Sequence, residues 1–92
     1  MPKITIKPIH NSNCVTFYFN KECLSLINHT HLVIDKVNLR IREATIDDKK
    51  SYKLNFLKES GATITCELPN KDELIGDYDV EDKKKYLELF KI

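Results

Sequence analysis

Ile4 and Ile6 alternate with Lys3, Thr5 and Lys7, a period-two pattern that predicts a strand with one covered face. Pro8 interrupts it, and His10-Asn11-Ser12-Asn13 has the short polar side chains of a turn. The next run, Cys14 to Phe19, puts Val15, Phe17 and Phe19 on one face and Cys14, Thr16 and Tyr18 on the other. At Asn20 the period changes. Asn is a good helix cap, because its side-chain oxygen accepts from an orphan backbone N–H, and Leu24 and Ile27 then share a helical face, predicting a helix of about two turns over Lys21–Ile27. Beyond Asn28-His29-Thr30-His31, apolar residues fall at Leu32 and Ile34, then at Val37, Leu39 and Ile41. That slip from even to odd positions at Asp35-Lys36 predicts a tight hairpin, since both strands must direct their apolar sides to one core.

The second half repeats the order. Tyr52, Leu54 and Phe56 alternate, Glu59-Ser60-Gly61 supplies a turn, and Ile64, Cys66 and Leu68 alternate again until Pro69 ends the strand. Asn70 with Glu73 three residues later has the spacing of a capping box, and Gly76 can take the left-handed conformation that ends a helix. Tyr78 and Val80, the charged turn Glu81-Asp82-Lys83-Lys84, and Tyr86 to Phe90 then predict a closing hairpin. The pattern therefore reads as two tandem repeats of strand, strand, short helix and hairpin, over about 1–47 and 48–92. Asn20-Lys21-Glu22-Cys23-Leu24 matches Asn70-Lys71-Asp72-Glu73-Leu74 at an offset of 50 with three identities, while the ribbons align better at 46 to 48. The expected class is mainly β with two short helices, a β-rich α+β fold.

Ninety-two residues suit one domain formed by both repeats, because about 45 residues rarely bury enough apolar surface to offset chain entropy. A hydrophobic share of 41% with 32% charged residues belongs to a globular chain rather than a disordered one. The formal net charge of +1 announces neither nucleic acid nor membrane, so any basic surface must be local. No segment has the roughly 18 to 20 apolar residues that span a bilayer, and the N-terminus lacks an apolar signal core. A cytoplasmic protein is expected. Cys14, Cys23 and Cys66 are odd in number and lack Cys-x-x-Cys spacing, which predicts reduced, buried thiols rather than a disulfide framework or zinc ribbon.

A strand ending in Pro, a short capped helix, a small terminator and a β-hairpin occur in order in Ala62–Pro69, Asn70–Gly76, Asp77–Val80 and Lys85–Leu89. This order resembles the AbrB and MazE swapped-hairpin superfamily, and Cys14–Arg42 repeats it more loosely. In that superfamily two chains interlock into one DNA-binding barrel. The resemblance implies that both halves lie here on a single chain, as a pseudo-twofold swapped-hairpin β-barrel in which Leu24 and Leu74 occupy equivalent helix positions. The second helix departs from the family's basic one, carrying Asp72 and Glu73, and Phe19-Asn20 lacks the Pro.

Charge is shared unequally, with +2 on residues 1–47 and −1 on residues 48–92. Lys36, Arg40 and Arg42, evenly spaced along one strand face, and Lys7 are candidate contacts for duplex phosphates; solvated strand charge is the competing reading. Lys83-Lys84-Lys85, flanked by Glu81, Asp82 and Glu88, reads as a hairpin tip, and Tyr18, Tyr52, Tyr78 and Tyr86 as packing residues. His10, His29 and His31 with Cys23 lack the convergent ligands of a zinc site, and a Cys23–histidine nucleophile lacks an orienting third group. Asp47-Asp48 suits turn chemistry. No phosphate loop, serine elbow or His-Glu-x-x-His motif occurs, so neither enzyme, cofactor nor metal is expected.

Two functions remain. One is a small DNA-binding transcriptional regulator of AbrB-like type. The other is a non-enzymatic interaction module, a phage or mobile-element inhibitor or antitoxin-like protein, that engages a basic host protein through Asp72, Glu73, Asp77 and Asp79, as a monomer or homodimer.

Overall fold

A computed structural model describes residues 1–58, 60–68 and 70–92 of the chain. The fold is mainly β with two one-turn helices. In chain order the elements are β1 (Lys3–Pro8), β2 (Cys14–Phe19), α1 (Lys21–Leu24), β3 (His31–Asp35), β4 (Arg40–Glu43), β5 (Tyr52–Lys53), β6 (Asn55–Phe56), β7 (Ala62–Glu67), α2 (Lys71–Leu74), β8 (Gly76–Asp82) and β9 (Leu87–Lys91). Pro69, expected to end β7, and Glu59, expected in the preceding turn, lie outside the described residues.

The strands form one antiparallel sheet in the order β5-β3-β4-β9-β8-β1-β2-β7-β6. Its two end strands are consecutive in sequence. Tyr52 and Lys53 pair with β3, Asn55 and Phe56 pair with β7, and Leu54 between them is buried with its N–H on the Thr30 carbonyl at 2.7 Å. The run 52–56 thus brings the sheet's two sides together into a nearly closed barrel, which leaves little open strand edge for aggregation.

Alternation decides which side chains fill the barrel. Ile4, Ile6, Val15, Phe17, Phe19, Ile64 and Tyr78 are almost completely buried, and Leu32, Ile41, Leu87 and Leu89 extend the same core from the other side. Each large apolar side chain removed from water contributes about 1.5–3 kcal/mol before entropy is counted. Across β2 and β7, Phe17 faces Ile64 and Phe19 faces Ala62. Gly61 holds φ at +108°, and a Cβ there would overlap the Phe19 carbonyl oxygen, so the approach of these two strands requires glycine.

Asn20 caps α1 as its sequence predicts. Its Oδ1 accepts from the Cys23 N–H at 2.8 Å and from the Lys3 N–H at 3.1 Å, while its Nδ2 donates to the Met1 carbonyl. The helix stops at Leu24 instead of continuing to Ile27. Leu24, Leu26 and Ile27 all pack against the core, yet residues two apart lie about 200° around an α-helix. Beyond Leu24 the chain tightens to three-residue hydrogen bonds, Leu26 N–H to Cys23 and Ile27 N–H to Leu24, which bring Ile27 over Leu24.

The expected capping box at α2 does not form. Asn70 sits at φ −108°, ψ 41°, outside the extended geometry of a capping residue, and its side chain makes no cap hydrogen bond. Gly76 does take positive φ, at +140°, and opens β8. Leu24 and Leu74 are both half-buried against the core, and both helices rest on β1.

The β3–β4 connection is the four residues Lys36–Leu39 rather than a tight turn at Asp35-Lys36. The Asp35 carboxylate accepts from the Val37 and Asn38 N–H groups and from the Asn38 amide, which holds the loop open. Val37, expected on the covered face of the second strand, is consequently in the loop and 90% exposed. Phe56, expected in register with Tyr52 and Leu54, is also exposed; the run changes partner at Leu54, from β3 to β7.

Candidate nucleic-acid interface

The four basic candidates divide between two faces. Arg40 and Arg42 project from the same side of β4, as their even spacing predicts. Lys36 does not extend that stripe: it lies in the four-residue loop, half-buried, with Nζ 5.7 Å from the centre of the Tyr52 ring. Lys7 is on β1, separated from β4 in the sheet by β8 and β9, with Nζ 5.0 Å from the Tyr18 ring.

Both arginines have carboxylate partners. Arg42 donates two parallel hydrogen bonds to Asp48, at 2.9 and 2.6 Å, and a longer one to the Glu43 carbonyl. Asp48 also accepts from the Thr45 N–H at 2.6 Å and from the Thr45 hydroxyl. The Arg42 guanidinium, followed by the Thr45 N–H, holds the Asp48 carboxyl well below the usual carboxylate range, and Asp48 raises Arg42 in turn. Arg40 stacks on Tyr86, 4.6 Å from the ring centre, with Nε 3.6 Å from Glu88. That Nε is buried and, among the described residues, has no hydrogen-bond partner.

Where β4 and β9 diverge beyond the pairs Arg40–Glu88 and Ile41–Leu87, a groove of about 520 Å³ opens. Leu32 and Ile41 are part of its lining, with Arg42 from β4 and Lys84, Lys85 and Tyr86 from the β8–β9 tip. Lys84 and Lys85 are exposed, and neither forms an ion pair among the described residues; Lys83 instead binds Glu81 at 3.0 Å and approaches Glu88 at 3.9 Å. His29 also lines the groove, with Nε2 3.2 Å from Glu43. Sequence reasoning treated Lys84 and Lys85 as a solvated tip, Tyr86 as packing and Asp48 as turn chemistry. Asp48 reaches Arg42 from the loop directly after β4, whereas Lys84, Lys85 and Tyr86 are brought beside it by the β4–β9 pairing.

The acidic candidates lie on two consecutive elements, α2 and β8. Asp72 and Glu73 are exposed on α2, whereas Asp77 on β8 accepts from the Thr5 hydroxyl at 2.7 Å and Asp79 pairs in register with Lys3.

Cys23 and Cys66 are buried and Cys14 is half-buried, all as free thiols. Burial pushes the Cys23 thiol up to about 12, the opposite of an activated nucleophile. Among the described residues no group of three or more His, Cys, Asp or Glu could hold a metal ion, and no helix is long and apolar enough to cross a membrane. No family model, curated protein or solved structure matches the chain.

Proposed function

We propose that this chain is a fused, pseudo-twofold member of the AbrB and MazE swapped-hairpin type, acting in the cytoplasm as a small regulator that binds duplex DNA. The observation that carries the reading is the symmetry of the strand pairings. Exchange the halves, so that β1 becomes the run 52–56, β2 becomes β7, β3 becomes β8 and β4 becomes β9. The pair β1–β2 then becomes β6–β7, β3–β4 becomes β8–β9, and β1–β8 becomes β5–β3. The pairs β2–β7 and β4–β9 map onto themselves. Each half thus lends its hairpin to the first strand of the other, which is the interlocking expected of two swapped-hairpin protomers joined in one chain. The DNA-facing side in this reading is the β4 and β8–β9 face, where Arg40, Arg42, Lys84 and Lys85 lie near one another.

Fluorescence polarisation with a 20-base-pair duplex, at about 50 and 200 mM salt, tests it. Phosphate neutralisation requires log K to fall linearly with log salt, by about 0.9 per phosphate contacted. No binding to duplexes of varied sequence at the lower salt would reject the proposal.

A second reading has its own support. Carboxylates already occupy Arg40 and Arg42, and Asp72 and Glu73 stand exposed on α2, which suits an interaction module for a basic host protein. Charge reversal at Asp72, Glu73, Asp77 and Asp79 should then abolish capture of that partner; unchanged capture would reject the acidic-face version.

A further inference from the structure

We infer that the groove between β4 and the β8–β9 tip is a phosphodiester-binding subsite, and that Asp48 occupies its arginine as a built-in competitor for duplex DNA. This inference rests on the DNA-binding reading above. Two parallel N–H donors of Arg42 meet the two oxygens of Asp48, the fork geometry with which a guanidinium also takes two phosphate oxygens. The carboxylate is poised for that role by the Thr45 N–H and hydroxyl, which hold it against β4 from a loop spanning 44–51. Around the same groove stand Lys84 and Lys85, exposed and without ion-pair partners among the described residues, and Tyr86; the carboxylates in its lining are engaged, Glu43 with His29 and Asp82 with the Lys84 N–H. A phosphate displacing Asp48 would gain Arg42 with two lysines alongside, and Asp48 would swing into water. Lys49 and Lys50, which follow it directly, would move with the loop. The pair is partly exposed, with 43% of the Arg42 and 16% of the Asp48 side chain accessible.

The test compares duplex-DNA affinity of the full chain with that of Asp48→Asn and Asp47→Asn at one salt concentration. Both variants remove one negative charge, but only Asp48 touches Arg42. Asp48→Asn should tighten binding about fivefold, the order of one exposed, bidentate ion pair, and Asp47→Asn less than twofold. Thr45→Val, which loosens Asp48 without changing charge, should shift affinity in the same direction, so a folding defect in one variant cannot decide the matter. Adding Lys84→Ala and Lys85→Ala to Asp48→Asn should erase the gain. Equal affinities for the Asp47 and Asp48 variants would overturn the inference while leaving DNA binding intact, whereas failure of the DNA reading is signalled separately by absence of binding to the wild-type chain. Inorganic phosphate at about 10 mM, compared with chloride at matched ionic strength, should not displace DNA from Asp48→Asn. Displacement would overturn the assignment to duplex backbone in favour of free phosphate.

Discussion

Tyr78 donates its phenolic hydrogen to the carbonyl oxygen of Leu74 at 2.6 Å. The ring is 1% exposed in the core while the hydroxyl reaches the last turn of α2. One side chain therefore fixes the angle at which the helix gives way to β8 and satisfies a carbonyl that a four-residue helix leaves without an internal partner. Tyr78→Phe keeps the ring and removes the bond, and should cost about 1 kcal/mol in a urea melt. A loss below about 0.3 kcal/mol would show that water replaces the hydroxyl freely.

Asn20 and Asn70 look alike in sequence and differ in structure. Asn20 ties α1 to the start of β1 through three hydrogen bonds, and Asn70 makes no cap bond. Asn20→Ala should cost about 1–2 kcal/mol and Asn70→Ala less than about 0.5 kcal/mol. Equal losses in parallel thermal melts would contradict the asymmetry.

Gly61→Ala should be the most damaging of the conservative substitutions, at about 2–4 kcal/mol. It adds strain at positive φ to a clash with the backbone of Phe19. Gly76→Ala should cost less, because the nearest atom there is the flexible end of Lys91. The ranking is read directly from denaturant midpoints.

Alkaline pH should destabilise the protein through its buried thiol. Burial raises the Cys23 thiol from 9.0 in the unfolded chain to about 12 in the fold. The unfolded state thus releases its proton first, so this contribution is whole below pH 9 and is lost as pH rises toward 12. Tyr78, also raised by burial, acts in the same direction above its ordinary value. Melts between pH 7 and 11 should show falling stability, with a shallower fall in Cys23→Ala; parallel slopes would remove Cys23 as the cause.

The sequence carried much of this architecture, for a simple reason. Val15, Phe17 and Phe19, like Ile4 and Ile6, alternate without interruption, and each strand's buried face follows from its own residues. What local pattern could not convey were places where a side chain overrides periodicity. Asp35 widens a turn by binding two backbone N–H groups, and Leu26 and Ile27 tighten a helix to reach the core. The candidate site was harder still. Even spacing located Arg40 and Arg42 on one strand face, but Tyr86, stacked on one, is remote in sequence, and Asp48, gripping the other from six residues away, reads locally as a turn residue.

Separate expression of residues 1–47 and 48–92 tests the proposed interlocking of two half-chains in one barrel. Among the described residues, four of the eight strand pairings cross between the halves, namely β1–β8, β2–β7, β3–β5 and β4–β9. Each half alone retains only two hairpins, which are marginal in water. Interlocking requires collapsed amide dispersion for either fragment by itself and recovery of the dispersed, cooperatively melting barrel when the two are mixed. A well-dispersed monomer from either fragment, melting cooperatively without its counterpart, would contradict it.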